Sequence, residues 1–99
     1  MNVTYRTDKD ILYIAVEGRI DASNATEAEE KIFDIKAANP GMHTVLDADS
    51  LEYISSAGLR VLLTAQKKTK GSMKLINVCE LVMEVFEMTG FADILCIEA

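Results

Sequence analysis

The stretch YISSAGL, Tyr53–Leu59, places two adjacent serine hydroxyls before a small-residue step and an apolar run. Hydroxyls at such a junction can cap a helix, serve as a nucleophile or accept a phosphoryl group. A hydrolase elbow of the Gly-x-Ser-x-Gly type centred on Ser56 needs a glycine at the position of Ile54. The single histidine, His43, is expected on a loop edge, a full strand length from Ser56, which disfavours a Ser-His triad. A helix cap and a phosphoacceptor remain.

Other residues that bind metals or cofactors do not form a pattern. One histidine and two widely separated cysteines match no zinc-ligand spacing. Asp47 and Asp49 are carboxylates of the kind that hold magnesium, but no further ligand converges with them. Phosphate loops of the Gly-x4-Gly-Lys type are absent. We therefore predict no metal and no cofactor, and we expect Cys79 and Cys96 to be buried free thiols.

Composition restricts the class of partner. Ten basic and sixteen acidic residues give a net charge of −6, which argues against nucleic acid and against an anionic membrane surface. The N-terminal MNVTYRTDKD has no apolar core of a signal peptide, and no apolar run approaches the ~20 residues of a membrane span. A cytoplasmic protein with a protein partner is the expectation.

The elements that must position the serines alternate between strands and helices. A 99-residue chain with 49% hydrophobic residues is long enough for one packed core. An alternating segment, Val3–Arg6, predicts an edge strand, and Ile11–Gly18, apolar on both faces, predicts an interior strand. Further strands are predicted at 43–48, 73–78 and 93–97. These alternate with helices, so we predict an α/β fold with a mostly parallel central sheet of four to five strands and about three helices.

Capping signals set the predicted helix ends. Asn24 followed by Glu27 resembles a capping box for a first helix that ends near Asn39. The second helix starts at YISSAGL, its last turn is rich in lysine, and Gly71 suits its C-terminal cap. A third helix runs from about Leu81 to Thr89-Gly90, and a brief loop is expected between the 43–48 strand and the serines.

Three segments of the chain carry a resemblance to a known family. The stretch LDADSLEYISSAGL, Leu46–Leu59, follows a pattern of a strand ending in Asp, a short loop and a Ser-Ser/Thr-Gly-Leu helix start. The segments GRID, Gly18–Asp21, and VFEMTGF, Val85–Phe91, agree with flanking parts of the same pattern. The whole chain, 1–99, resembles one STAS domain, specifically a bacterial anti-sigma factor antagonist.

The resemblance implies a phosphorylation switch. In that family the serine two residues before the motif glycine is phosphorylated by a partner anti-sigma factor that is an ATP-dependent serine kinase. That position is Ser56 here, with Ser55 as the second choice, because Ser55 and Ala57 replace an acidic and a hydroxyl residue of the pattern. Unphosphorylated antagonist binds the anti-sigma factor and frees the sigma factor, and a metal-dependent PP2C-type phosphatase resets the cycle.

The resemblance also implies a docking surface and no catalytic residue, so the chain is predicted not to be an enzyme. The partner-binding residues that it implies are Asp21, Ser23, Asp47, Asp49, Ile54, Ser55, Ala57, Gly58 and Arg60. The alternative is a STAS module that senses a small ligand, a nucleotide or a lipid, at the same helix start, or that acts as a constitutive scaffold without phosphorylation.

Overall fold

The computed structural model describes residues 1–70 and 72–98. The chain begins with an antiparallel hairpin of β1 (Asn2–Asp8) and β2 (Ile11–Ile20). The turn between them contains Lys9 with a φ of 57°. β1 is the exposed edge strand that the alternation predicted, and β2 is interior because it pairs along both of its sides.

Two strands follow each other along the second side of β2. β3 (His43–Asp47) pairs in parallel with residues 11–15, and β4 (Leu51–Ile54) pairs in parallel with residues 18–20. The strand β4 corrects the expectation of a loop there, because four residues are too few to show a clear alternation in the sequence. Gly18, with a φ of 89°, is the first β2 residue that pairs with β4, and the register shifts between it and Arg19. Its amide donates a hydrogen bond to the Ser50 carbonyl at 2.8 Å.

The sheet continues with β5 (Lys74–Ile76) and β6 (Cys96–Glu98), and its main order is β1-β2-β3-β5-β6. Every pairing beyond the β1–β2 hairpin is parallel, which confirms the predicted fold class. β5 is shorter than predicted because Asn77 takes a φ of 58° and turns the chain. The last strand starts later than predicted, since Phe91–Asp93 forms a short 3₁₀ helix first.

Three helices, α1 (Ala25–Ala38), α2 (Ser56–Lys68) and α3 (Glu80–Thr89), enclose the core. Leu12, Ile14 and Val16 of β2 are fully buried, whereas the residues between them are only half-buried. The helices therefore cover one face of this part of the sheet. β2 is interior to the sheet, as its apolar pattern predicted, but its second face is only half-buried. No helix in residues 1–70 and 72–98 is long and apolar enough to cross a membrane.

Several local predictions need correction. Asn24 precedes α1, but its side chain makes no cap hydrogen bond, so the capping box is not formed. The C-cap of α2 is Thr69, and the predicted cap Gly71 lies outside the described residues. Cys96 is exposed on the edge strand β6 and Cys79 is half-buried, so the prediction of two buried thiols is wrong. His43 is exposed, as predicted, 3.9 Å from the Asp10 carboxylate.

Candidate functional site

The two serines have different roles at the start of α2. The Ser55 amide donates to the Ile20 carbonyl at 2.9 Å, which extends the β2–β4 pairing by one bond. Ser55 is extended, with φ −94° and ψ 178°, and its hydroxyl accepts a hydrogen bond from the Gly58 amide at 3.4 Å. Ser55 is thus the half-buried N-cap. Ser56, the first helical residue, is exposed and carries the accessible hydroxyl of the pair.

Gly58 lets the first turn of α2 lie directly on the strands below it. A Cβ built there would stand 2.6 Å from Ile54 Cγ1 and 2.9 Å from Ile20 Cγ2. Both isoleucines are fully buried, so neither can move aside freely. Gly58 therefore fixes the height of the serines above the sheet. The predicted partner residues Ile54 and Gly58 lie in the core, where they support the surface without being part of it.

Asp21 and Ser23 form a tight turn next to this helix start, immediately after β2. The Asp21 carboxylate accepts hydrogen bonds from the Ser23 amide at 2.9 Å and from the Ser23 hydroxyl at 2.5 Å. These bonds, the hydroxyl one first, hold the pKa of Asp21 below its ordinary 3.8. Asn24 completes the turn, since its side chain accepts from the Asp21 amide and donates to the Arg19 carbonyl. The site thus contains an ionised carboxylate near the serines.

An arginine–tyrosine pair borders the same end of the sheet. Arg19 and Tyr53 are register partners on β2 and β4, and the Arg19 guanidinium carbon lies 4.5 Å from the centre of the Tyr53 ring. This is a cation–π contact, with Arg19 exposed and Tyr53 half-buried. The sequence analysis placed Tyr53 in the serine motif but did not predict its contact with Arg19. The contact follows from the pairing of β2 with β4, and β4 was not predicted from the sequence.

Arg60 lies one turn into α2 and is exposed. It borders a shallow cleft of about 200 Å³ between α1 and α2. The other residues that line this cleft are Ala25, Thr26, Glu29, Ala57, Val61 and Thr64. Small-molecule sites usually enclose ~300–1,000 Å³, so this cleft gives little support to a ligand sensor at the helix start.

Asp47 and Asp49 lie apart from the serines. Asp47 pairs with Ala15 of β2, whereas Ile54 pairs with Ile20, so about 16 Å of strand separates the two levels. The Asp47 carboxylate accepts hydrogen bonds from the Asp49 amide at 3.0 Å and from Asn77 Nδ2 at 3.1 Å. Asp47 therefore ties the turn before β4 to the turn after β5, and only Asp49 of the two is exposed.

The start of α2 is suited to a negative group. The first amides of a helix have no partner within the helix, and the helix dipole adds partial positive charge there. The first turn of α2 contains no acidic residue. The site also lies at the carboxyl ends of the parallel strands β2 and β4, where open α/β sheets commonly bind their ligands. A phosphate on the exposed Ser56 hydroxyl would face these amides.

Comparison with known proteins agrees with this geometry. The sequence profile of the STAS domain matches residues 2–99. This chain belongs to the STAS domain family. Its relatives include BtrV of Bordetella bronchiseptica, which has the provisional name of an anti-sigma factor antagonist and is 34% identical over 97 residues, covering 95% of this chain and 83% of BtrV. The anti-sigma-B factor antagonist of Bacillus subtilis is 29% identical over 102 residues, covering 100% of this chain and 92% of that protein.

Solved structures give the same fold. The anti-sigma factor antagonist SpoIIAA in its unphosphorylated form superposes with a TM-score of 0.76 at 16% identity, covering 99% of this STAS domain and 89% of SpoIIAA. The phosphorylated form of SpoIIAA, a Bacillus cell fate determinant, superposes with a TM-score of 0.67 at 14% identity, covering 99% and 92%. The STAS domain described here is thus a member of the anti-sigma factor antagonist family.

Proposed function

We propose that this STAS domain binds an anti-sigma factor when Ser56 is unmodified, which releases a sigma factor, and that phosphorylation of Ser56 ends the binding. The observation that carries the proposal is the division of labour between the two serines. Ser55 caps α2 with its hydroxyl, whereas Ser56 is exposed and its hydroxyl is available to a kinase. This supports Ser56 over Ser55 as the phosphoacceptor.

The fold tolerates a phosphate at this position for a physical reason. A phosphoserine carries a charge of about −1.5 to −2 at neutral pH. At the first helical position it would face unpaired amides, with no acidic residue in the same turn. Such an interaction stabilises a helix start by up to ~2 kcal/mol. The existence of SpoIIAA in both forms supports the view that this fold accepts the modification.

The proposed docking surface surrounds Ser56. Its near part is formed by Asp21, Ser23, Ala57 and Arg60, with the Arg19–Tyr53 pair at its border. Asp49, exposed in the turn before β4, extends this surface toward the lower end of β4. Asp47 contributes by holding that turn in place.

The switch acts on the complex rather than on the fold. A partner that covers the helix start must bury the phosphate dianion, and an unpaired buried charge costs ~3–5 kcal/mol. Since each ~1.4 kcal/mol is a factor of ten in affinity, the expected loss of binding is at least about 100-fold. The isolated domain keeps its stability because water and the helix amides solvate the phosphate.

The remaining partners follow from the family. We propose that the anti-sigma factor is itself the serine kinase and that a PP2C-type phosphatase removes the phosphate. The domain then acts as a binding module in the bacterial cytoplasm and not as an enzyme, since an antagonist of this kind works by binding its partner.

The test uses the unmodified protein to capture its anti-sigma factor, followed by incubation of the complex with ATP and peptide mapping by mass spectrometry. Wild type should gain one phosphate on Ser56 and lose binding. Ser56→Ala should bind and gain no phosphate, whereas the matched control Ser55→Ala should still gain it. Ser56→Glu should bind at least about 100-fold more weakly while keeping the thermal midpoint of wild type.

Two results would contradict the proposal. One is an anti-sigma kinase that binds the domain and phosphorylates neither serine, which would make the junction a helix cap in a constitutive binding module. The other is a phosphate on Ser55, which would assign the switch to the capping residue.

A further inference from the structure

A second candidate site lies at the opposite end of α2 from Ser56. The helix has 13 residues, which corresponds to about 20 Å at 1.5 Å per residue. There the C-terminal ends of α1 and α2 and the turn before β3 enclose an open cleft of about 340 Å³. The charged residues lining it are Lys36, Lys68 and Lys70. Among the described residues that line the cleft there is no carboxylate.

Among the described residues, the three lysines have no ionic partner, and Lys68 is restricted by an aromatic contact. None of their ammonium groups lies within 4.0 Å of a carboxylate in the part of the chain that the structure describes. The Lys68 ammonium lies 4.2 Å from the centre of the Phe33 ring, a cation–π contact that restricts its position. Lys36, one turn beyond Phe33 on α1, is half-buried. Burial, and then the charge of Lys68, lower the pKa of Lys36 from its ordinary 10.5.

The partial negative charges at the two helix C-termini are too small to balance the three lysines. The C-terminus of a helix has a partial charge of about −0.5, so the two helix ends supply about −1 in total. Three ammonium groups supply +3, which leaves an excess of about +2 in the cleft. The protein as a whole has a net charge of −6, so this local cluster of lysines has the opposite sign to the overall charge.

The lining also contains a neutral hydroxyl. The Thr44 side chain, on β3, is largely buried and borders the cleft. Ser72 also borders the cleft, but its hydroxyl donates its one hydrogen to the Thr69 carbonyl at 2.7 Å and so has none left for an anion. Leu12 and Met42 add apolar surface. The cleft thus combines about two excess positive charges with the Thr44 hydroxyl and a small apolar floor, and its volume falls within the usual range of small-molecule sites.

We propose that this cleft binds a small phosphate-bearing molecule through Lys36, Lys68 and Lys70. A phosphomonoester or diphosphate carries about the two or more negative charges that would balance the cleft. Its phosphate oxygens would accept hydrogen bonds from the ammonium groups, each of which has three donors and no ionic partner within residues 1–70 and 72–98. The site is independent of the Ser56 switch and does not rest on the proposed function.

The test is a titration of the ¹⁵N-labelled protein with inorganic pyrophosphate at constant ionic strength, monitored by amide chemical shifts. Saturable shifts are expected in the amides of Asn39, residues 41–44 and residues 68–70, and no comparable shifts are expected around Ser56. The double variant Lys36→Met/Lys68→Met should bind at least about tenfold more weakly. The matched control Lys31→Met/Lys67→Met removes two lysines from the same helices outside the cleft and should bind within about twofold of wild type.

The outcomes are distinct. Shifts that do not saturate, that sodium chloride reproduces, or that both double variants lose equally would overturn the proposal, since they indicate screening of general surface charge. If the cleft double variant does not fold by circular dichroism, Lys70→Met, which changes an exposed side chain, takes its place with a loss of at least about threefold expected. Tighter binding of a nucleoside diphosphate than of pyrophosphate would support a nucleotide as the ligand. Binding to phosphatidate vesicles without binding of free pyrophosphate would overturn the proposal.

Discussion

Replacement of Gly58 by alanine tests whether close packing of α2 positions the serines. The new Cβ would stand 2.6 Å from Ile54 Cγ1, 2.9 Å from Ile20 Cγ2 and 3.1 Å from Ile20 Cβ. The most favourable separation of two carbon atoms is ~3.5–4.0 Å, so the helix start must rise by several tenths of an ångström. Excess volume in a packed core costs ~1–3 kcal/mol, and both isoleucines are fully buried, which favours the upper half of that range.

A gain in helix propensity opposes this cost. Alanine is favoured over glycine by up to ~1 kcal/mol inside a helix. The net expectation is therefore a loss of about 1–2 kcal/mol in the free energy of unfolding. Urea denaturation followed by circular dichroism measures this loss as a lower midpoint with an unchanged slope. A Gly58→Ala protein as stable as wild type, or more stable, would refute the packing argument.

A double-mutant cycle identifies the contact responsible. Ile54→Ala removes the Cγ1 atom at 2.6 Å and by itself should cost ~2–5 kcal/mol. Because it also makes room for the new Cβ, the double variant should lose less than the sum of the two single losses by ~1 kcal/mol or more. Leu75→Ala, a fully buried position on β5, serves as the control and should combine additively with Gly58→Ala. An additive Ile54 cycle would mean that the clash is relieved elsewhere.

Three further predictions concern the polar groups of the site. Ser55→Ala should lower the free energy of unfolding, measured by urea denaturation, by about 1 kcal/mol because it removes the N-cap of α2. Ser56→Ala should change it by less than about 0.5 kcal/mol, and equal losses would contradict the different roles of the serines. Since the pKa of Asp21 is lowered, its ionised form stabilises the fold above pH 3.8, and this contribution is lost as the pH falls through the folded-state pKa. The difference in unfolding free energy between wild type and Asp21→Asn should therefore shrink from pH 6 to pH 3. A difference that does not change with pH would contradict the hydrogen-bonded carboxylate. Asp47→Ala should lose about 1 kcal/mol in thermal or urea unfolding because it removes the two exposed hydrogen bonds, from the Asp49 amide and from Asn77, that tie two turns together. Asp49→Ala should change stability by less than about 0.5 kcal/mol, and the reverse order would place the structural carboxylate at Asp49.

The sequence predicted the class of the fold well. Apolar runs such as Ile11–Gly18 and the periodic apolar face of α2 depend on local spacing, and they are read directly from the chain. The strand β4 was not predicted because it has four residues and its pairing is with the last residues of β2, a contact that the local sequence does not show. The capping box at Asn24 was also wrong, because the Asn24 side chain bonds to Asp21 and Arg19 instead of to the helix.

The candidate site, like the fold, was predicted from the sequence only in part. YISSAGL indicated a helix start with two hydroxyls from residue types and order alone, since capping is a local interaction between neighbours in the chain. Register with the family pattern favoured Ser56 over Ser55 as the phosphoacceptor, but the sequence did not show which of the two hydroxyls caps the helix. That distinction depends on the hydrogen bond from the Ser55 amide to Ile20, which fixes the residue that leaves the sheet and therefore the residue that begins the helix.

Contacts between distant segments explain the remaining differences. The separation of about 16 Å along β2 between the residue that pairs with Asp47 and the residue that pairs with Ile54 follows from the pairing register, and so does the stacking of Arg19 on Tyr53. The lysine cleft arises because α1 and α2 both end near the start of β2 and β3. This brings together Lys36 and Lys68, which are 32 residues apart in the sequence. Composition and local periodicity specify elements and their order, but the distances between side chains of different elements depend on sheet register and helix packing.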